Sequence, residues 1–341
     1  MIPYATAAAA ESALGRALTW GETAWFRYTA TTPDYCLYFH SLINLLAYTL
    51  APVPAALLEL CLPAKLTSPY KLQPRVRLSP AAFLRCYRDT ARVLVLLTIG
   101  PLLFLPYPAI KMAGIRMGLP LPSVGEVAAQ LVLYLLVEDY LGYWFHRLLH
   151  TEWGYNKFHH VHHEYTAPMG FAAAHSHWIE LLILGFPTFA GPAMVPCHMT
   201  TFWLWFIVRG VVAIDTHNGF NFPFSPSRFI PFYGGEEFHD YHHYVGRQSH
   251  SNFAPVFTFC DYIYGTQNAY RCYKATLAKL RIQEKMKLKE EGAMHSTFLG
   301  NKTRYISASL PLNEGRPVPG CVPHALGQMA KLFIYLYSNF Q

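Results

Sequence analysis

The chain has 341 residues, of which 52% are hydrophobic, 16% aromatic and only 14% charged, well under the roughly 25% charged residues of a usual soluble domain. That composition points to a membrane. The formal charge of +7 is modest, and the Lys and Arg residues are scattered between apolar runs instead of forming a stripe interleaved with aromatics, which argues against nucleic-acid binding.

The opening MIPYATAAAAESALGRALTW lacks a basic start and a leucine-rich core, and Glu11 and Arg16 break its apolar part, so it does not read as a cleaved signal peptide. Residues 1–34 are expected in the lumen. From Tyr35 to Leu62 an apolar run is long enough to cross about 30 Å of hydrocarbon, with Pro52 and Pro54 expected to kink it and His40 read as structural or interfacial. The segment Lys65 to Arg92 sets seven Lys and Arg residues against Asp89 alone, so it is expected to be a cytosolic loop. A second apolar run, Val93 to Ile110, carries Pro101, Pro106 and Pro108. Residues 35–123 would thus hold two transmembrane helices and a basic loop.

A third apolar run begins near Val124 and opens a catalytic region, 124–273, returning to the cytosol near His146. Between Glu138 and Tyr165, His146 and His150 stand four apart, followed by His159, His162 and His163 as H-x-x-H-H. Spacings of three and four share a helix face, so each group is expected to aim several imidazoles at one metal. His160 faces elsewhere. Glu138 and Asp139 fall near the histidine face and read equally as helix-end carboxylates or as acceptors that orient an imidazole N–H.

Leu181–Val195 and Phe202–Ile214, split by Gly191, Pro192 and Pro196, read as a hairpin that enters the membrane and returns. His177 before it and His217 after it then finish on one side, where both can join the other histidines. His198, at the turn, lies far from them. A second H-x-x-H-H array follows at His239, His242 and His243, and an aromatic stretch beyond it could pack over the site, with His250 on the surface. Lys274 to Glu291 reads as a charged cytosolic helix near the membrane surface. It opens a last region, 274–341, that is poor in signal beyond Gly292. There Leu332–Tyr337 is too short to span, and Asn301-Lys302-Thr303 matches the glycosylation acceptor by composition only.

Buried unpartnered imidazoles cost about 1 to 3 kcal/mol each, and several rival a net stability of about 5 to 15 kcal/mol. The arrays therefore face water or hold something, and two arrays suggest two metals. Seven cysteines without a C-x-x-C pair give no disulfide framework and no thiolate zinc knuckle. Imidazoles alone do not choose among zinc, iron, copper and nickel, but two groups of four or five suit larger-coordination ions, with iron preferred. A di-iron centre with O2 can attack an unactivated C–H bond of a lipid. With no G-x-G-x-x-G and no C-x-x-C-H, electrons are expected from a separate redox partner. The expected fold is all-α: an integral membrane helical bundle of about four to five membrane segments, hairpin included, with a cytosolic histidine-rich di-iron cap. A zinc transporter or storage protein would instead place histidines within spans or low-complexity loops.

HRLLH, WGYNKFHHVHHEYTAPMGFAA, GPAMVPCHMTTFWLW and IPFYGGEEFHDYHHYVGRQSHSNFAPVFTFCDYIYGT, within roughly residues 20 to 285, resemble the membrane-bound fatty acid hydroxylase superfamily. Within it they look like the sterol C-4 methyl oxidases (methylsterol monooxygenases) of the plant type-1 branch. The histidine triplets alone specify only the superfamily; EYTAPMGF and FYGGEEFHDYHH narrow it. The resemblance implies a multi-pass endoplasmic reticulum enzyme, its histidines facing the cytosol, that oxidises the 4α-methyl group of a 4,4-dimethylsterol such as 24-methylenecycloartanol to the carboxylate. It implies two iron ions, O2, electrons from NAD(P)H through cytochrome b5 and its reductase, and a sterol C-4 decarboxylase/ketoreductase complex downstream. The same centre serves fatty acyl or ceramide hydroxylases and sterol desaturases, which are the alternatives. Carried over, the metal clusters are His146 and His150; His159, His162 and His163; and His239, His242 and His243, with His177 and His217 as further candidates. Asn221 stands where an aspartate is usual, Ala174 and His175 replace a proline and an aromatic, and the tail beyond residue 292 has no counterpart.

Overall fold

The computed structural model describes residues 4–32, 41–99, 108 and 111–295. His40, most of the Val93–Ile110 run beyond Ile99, and the tail with Asn301-Lys302-Thr303 and Leu332–Tyr337 lie outside the described residues. Among the described residues the regular elements are helices, with no strand.

Two short helices, Ala7–Leu14 and Trp20–Thr31, precede α1 (Ser41–Leu50) and α2 (Val53–Cys61). The run expected as one kinked span is thus two helices. Pro52 lacks an N–H to continue α1, and Pro54 is tolerated because it falls in the first turn of α2. The basic segment is not all loop either, since α3 (Pro80–Ile99) carries Arg85, Arg88 and Arg92. Lys71 comes back to α2, where it pairs with buried Glu59 at 2.6 Å.

The helix α4 (Val124–Leu149) begins on a Ser123 cap that accepts the Glu126 N–H and ends on His150. Its 26 residues extend about 39 Å. Along α4 packs α5 (Trp178–Met194), which continues through Pro187, Gly191 and Pro192, so the hairpin is split later than the sequence suggests, at Val195–His198. The close approach explains the glycine: a Cβ on Gly191 would lie 2.7 Å from Tyr134 Cδ1. His198 is buried at that turn and caps α6 (Met199–Thr216) by accepting the Thr200 N–H. By length and composition α6 can cross a membrane; α5 and the stretch Leu45–Cys61 are apolar but shorter.

The two carboxylates of α4 are spent on structure. Glu138 pairs with Arg209 of α6, and Asp139 accepts the backbone N–H groups of Val256 and Phe257, both at 2.8 Å. Neither orients an imidazole. The cap is completed by α7 (Gly235–Val245) and α8 (Asn268–His295). Cys61, Cys86, Cys197 and Cys260 are free thiols, whereas Cys272 is disulfide-bonded, which a reading from C-x-x-C pairs alone does not anticipate.

Gly191→Val should cost about 1 to 3 kcal/mol by forcing α4 and α5 apart. Thermal unfolding of the detergent-solubilised chain measures this, and an unchanged midpoint would contradict the tight α4–α5 contact.

Candidate metal centre

Nine buried histidines form two groups: His146, His150, His159, His163 and His242 in one; His162, His217, His239 and His243 in the other. Within each, the candidate ligand atoms lie within 4.8 Å of one another. The groups abut, with His163 stacked on His243 at a ring-centroid distance of 4.7 Å. Each H-x-x-H-H array is divided between them. His159 and His163 serve the first group and His162 the second, while His242 serves the first and His239 and His243 the second. The expectation that each array serves one metal is therefore corrected. Adjacent residues on a helix point about 100° apart, so an H-H pair cannot aim at one point.

In the first group the Nε2 atoms stand 3.1 Å apart for His146 and His159, 2.9 Å for His150 and His159, and 3.0 Å for His150 and His242. In the second, His217 Nε2 lies 3.3 Å from His162, 3.0 Å from His239 and 3.3 Å from His243. Two nitrogens each about 2.1 Å from one ion and at right angles would be about 3.0 Å apart.

The outward nitrogens fix the tautomers. His146 Nδ1 donates to the Phe253 carbonyl at 2.7 Å, His242 Nδ1 to the Ser251 carbonyl at 2.7 Å, and His159 Nδ1 to Glu180 Oε1 at 2.8 Å. In the second group His162 Nδ1 donates to the His175 carbonyl at 3.0 Å and His217 Nδ1 to the Ala213 carbonyl at 2.7 Å. Burial holds His217 down to about 4 and His159, His162, His239, His242 and His243 well below the ordinary imidazole value, so these rings are neutral. A neutral ring protonated at Nδ1 has a bare lone pair at Nε2. The pair His162–His217, both rings backed by carbonyls that can only accept, therefore opposes two lone pairs with no proton between them, and so does His146–His159 when Glu180 is ionised. A cation at each focus removes that conflict, so the residues present fit a metal pair. Five imidazoles in the first group exceed the closed four-ligand set of structural zinc, and the donor set accommodates non-haem iron.

Local backbone supplies the aim. Tyr155–His159 is a π-helical turn, closed by His160 N–H to the Tyr155 carbonyl at 3.0 Å, and His162–Glu164 is 3₁₀. Such wide-then-tight turns recur at functional sites. The loop that supplies the Ser251 and Phe253 carbonyls is pinned by Asp261, which accepts the N–H groups of Phe253 and Ala254 and the Thr266 hydroxyl. Phe253 also packs on His146, His150 and His242.

His177 stays outside both groups. Its Nδ1 accepts the Ile179 N–H at the start of α5, and its ring lies on Phe158. His160 and His250 are exposed and His198 sits at the far turn, as the sequence suggests. Asn221 Oδ1 accepts from Arg228 at 2.8 Å. The sequence reading missed Glu180 and Asp261. Glu180 had a signal, as the lone carboxylate of the apolar run WIELLILGF; Asp261 had none.

Residues 131–266 match the fatty acid hydroxylase family. The chain is 63% identical over 282 residues to the rice (japonica) protein named very-long-chain aldehyde decarbonylase GL1-10, covering 82% of this chain and 93% of that one. It is 53% identical over 298 residues to Arabidopsis thaliana methylsterol monooxygenase 1-1, covering 87% of this chain and 100% of the relative. Against methylsterol monooxygenase 1-2 of the same plant it is 54% identical over 287 residues, 84% of this chain and 96% of that one. No solved structure matches the chain.

Two predictions follow from the hydrogen bonds. Glu180→Leu strands the His159 Nδ1–H and should weaken metal binding at the first group about 10- to 100-fold, whereas Glu180→Gln keeps an acceptor and loses less. Metal titration decides, and full affinity in Glu180→Leu would contradict the role. The second concerns acid. Imidazoles protonate near 6.5 in the unfolded chain, but His217 only near 4 in the folded one. The unfolded state therefore binds more protons in that window, and stability falls with falling pH. The metal-free protein should lose stability as pH drops from about 6.5 towards 4; denaturant midpoints flat across that range would refute it.

Proposed function

The chain belongs to the fatty acid hydroxylase family, among its methylsterol monooxygenases, and on that premise we propose that it oxidises the 4α-methyl group of 4,4-dimethylsterols to the carboxylate as a membrane-bound non-haem di-iron monooxygenase. The observation that carries the reading is the pair of adjacent all-imidazole groups, five and four, on which both arrays converge. His146, His150, His159, His163 and His242 would hold one iron, and His162, His217, His239 and His243 the other. When bound, the pair supplies the O2 chemistry that side chains lack for an unactivated C–H bond.

The protein's own groups do the positioning. Carbonyls of Ser251, Phe253, His175 and Ala213 and the carboxylate of Glu180 keep the protons on Nδ1, leaving each Nε2 free as a ligand. Phe253 and Tyr155 cover the first group and exclude water from that flank. Electrons would come from NAD(P)H through cytochrome b5 and its reductase, and the carboxylate would pass to a decarboxylating sterol complex. We assign the chain to the endoplasmic reticulum as a multi-pass protein with residues 124–273 as catalytic region; the acid-poor basic segment 65–92 supports a cytosolic site.

A second reading keeps the centre and changes the substrate to an acyl chain, by hydroxylation or by the aldehyde chemistry in the rice relative's name. Expression in yeast lacking its own C-4 methyl oxidase distinguishes the two. Loss of accumulated 4,4-dimethylsterol is expected, and its persistence with iron-loaded protein present would move the acyl reading forward. His242→Ala should abolish that rescue while the protein still inserts in the membrane.

A further inference from the structure

Two segments that contain no Asp or Glu, 60–79 and 216–235, are bound side by side. Leu72 N–H donates to the Gly219 carbonyl at 3.1 Å, Asn221 N–H to the Tyr70 carbonyl at 2.7 Å, and the rings of Tyr70 and Phe222 lie 5.8 Å apart. Many of the side chains they expose are apolar or aromatic. Phe224, Phe229 and Phe232 are 73, 71 and 69% exposed, beside exposed Leu66, Tyr70 and Ile230. Lys65, Arg75, Arg77 and Arg228 are exposed in the same two segments.

The shelf is ordered by its own bonds. Phe220, Phe222 and Phe224 stack in series with centroids 5.4 and 5.2 Å apart, and Arg228 ties the loop through the Phe222 carbonyl and Asn221 Oδ1. Phe232 sits at φ 62, a left-handed backbone that a bulky residue rarely adopts, and the frame holds it there through Thr258 N–H to its carbonyl at 2.7 Å. A fixed loop that holds three phenylalanines out in water is built to meet something apolar.

We propose that this shelf is a membrane-docking surface that inserts its phenylalanines into the headgroup boundary of a leaflet bearing anionic phospholipids. Two observations choose the occupant. Phe220, four residues after α6 ends at Thr216, lies within about 14 Å of the end of the helix able to cross a membrane, and the ring stack that leads to exposed Phe224 starts from it. Its charges are all basic, complementary to anionic headgroups and repulsive to a second copy of the same face. Aromatic rings flanked by Lys and Arg are the pattern of an interfacial element. The second group draws His217 from just before this loop and His239 and His243 from just after it, so docking would hold that group against the lipid phase. The proposal rests on the membrane-bound reading but not on the identity of the substrate.

The test is photocrosslinking of the full chain in nanodiscs of phosphatidylcholine with phosphatidylserine. Phe224 and Phe229 are replaced, one at a time, by p-benzoylphenylalanine, with Leu204 of α6 as the lipid control and the irradiated unsubstituted chain as background. Lipid adducts are expected at both shelf positions, with phosphatidylserine over-represented about fivefold against its share of the disc. Adducts to a second copy, lipid yields no higher than that background, or phosphatidylserine at its bulk share would each overturn the proposal. Absence of lipid adducts at Leu204 as well would overturn it together with the membrane-crossing assignment of α6.

Discussion

Bare imidazole lone pairs that face one another inside a dry interior have to be reconciled, and the rest of the structure depends on how. Acceptors behind five of the nine rings hold the protons outward, and burial keeps the rings neutral. The only remaining favourable partner at each focus is a cation. The long α4, the α5–α6 hairpin and the short α7 then read as a scaffold that delivers nine rings to two adjoining points. Orienting groups behind ligands matter as much as the ligands, and here the loop 251–257, tied by Asp139 and Asp261, supplies two of them.

Much of this was legible in the sequence. Both arrays, His217 and the helix leading to His146 stand out by spacing and apolar period, and the helical class and hairpin follow from run lengths. What spacing could not show was the division of labour within each array. In the first array it depends on a π-helical turn followed by a 3₁₀ turn, which no residue pattern in YNKFHHVHHE announces, and in the second on how α7 packs against the other ligand-bearing elements. Proximity along a helix also left Asp139 open between two roles; its carboxylate holds a loop 117 residues further on. His177 failed for a related reason: at a helix start its ring competes for a backbone N–H. Glu180 belongs to the site because α5 folds back along α4, a tertiary fact.

The placement of the centre also bears on how an apolar substrate could reach it. His146 and His150 lie at the end of α4, and His217 at the end of α6, the helix able to cross a membrane. An oxidant generated there would sit where hydrocarbon meets water. The proposed docking of the aromatic shelf would hold the same end of the molecule against lipid.

The most direct test of the central claim, that each array feeds both metal positions, is Mössbauer spectroscopy of the iron-loaded protein and its single histidine variants. Five and four imidazoles should give two distinguishable iron signals. His159→Ala and His242→Ala, drawn from different arrays, should diminish the same signal, and His162→Ala and His239→Ala the other. If the signals instead sort by array, with His159→Ala and His162→Ala affecting one iron and His239→Ala and His242→Ala the other, the interleaved centre described here is wrong.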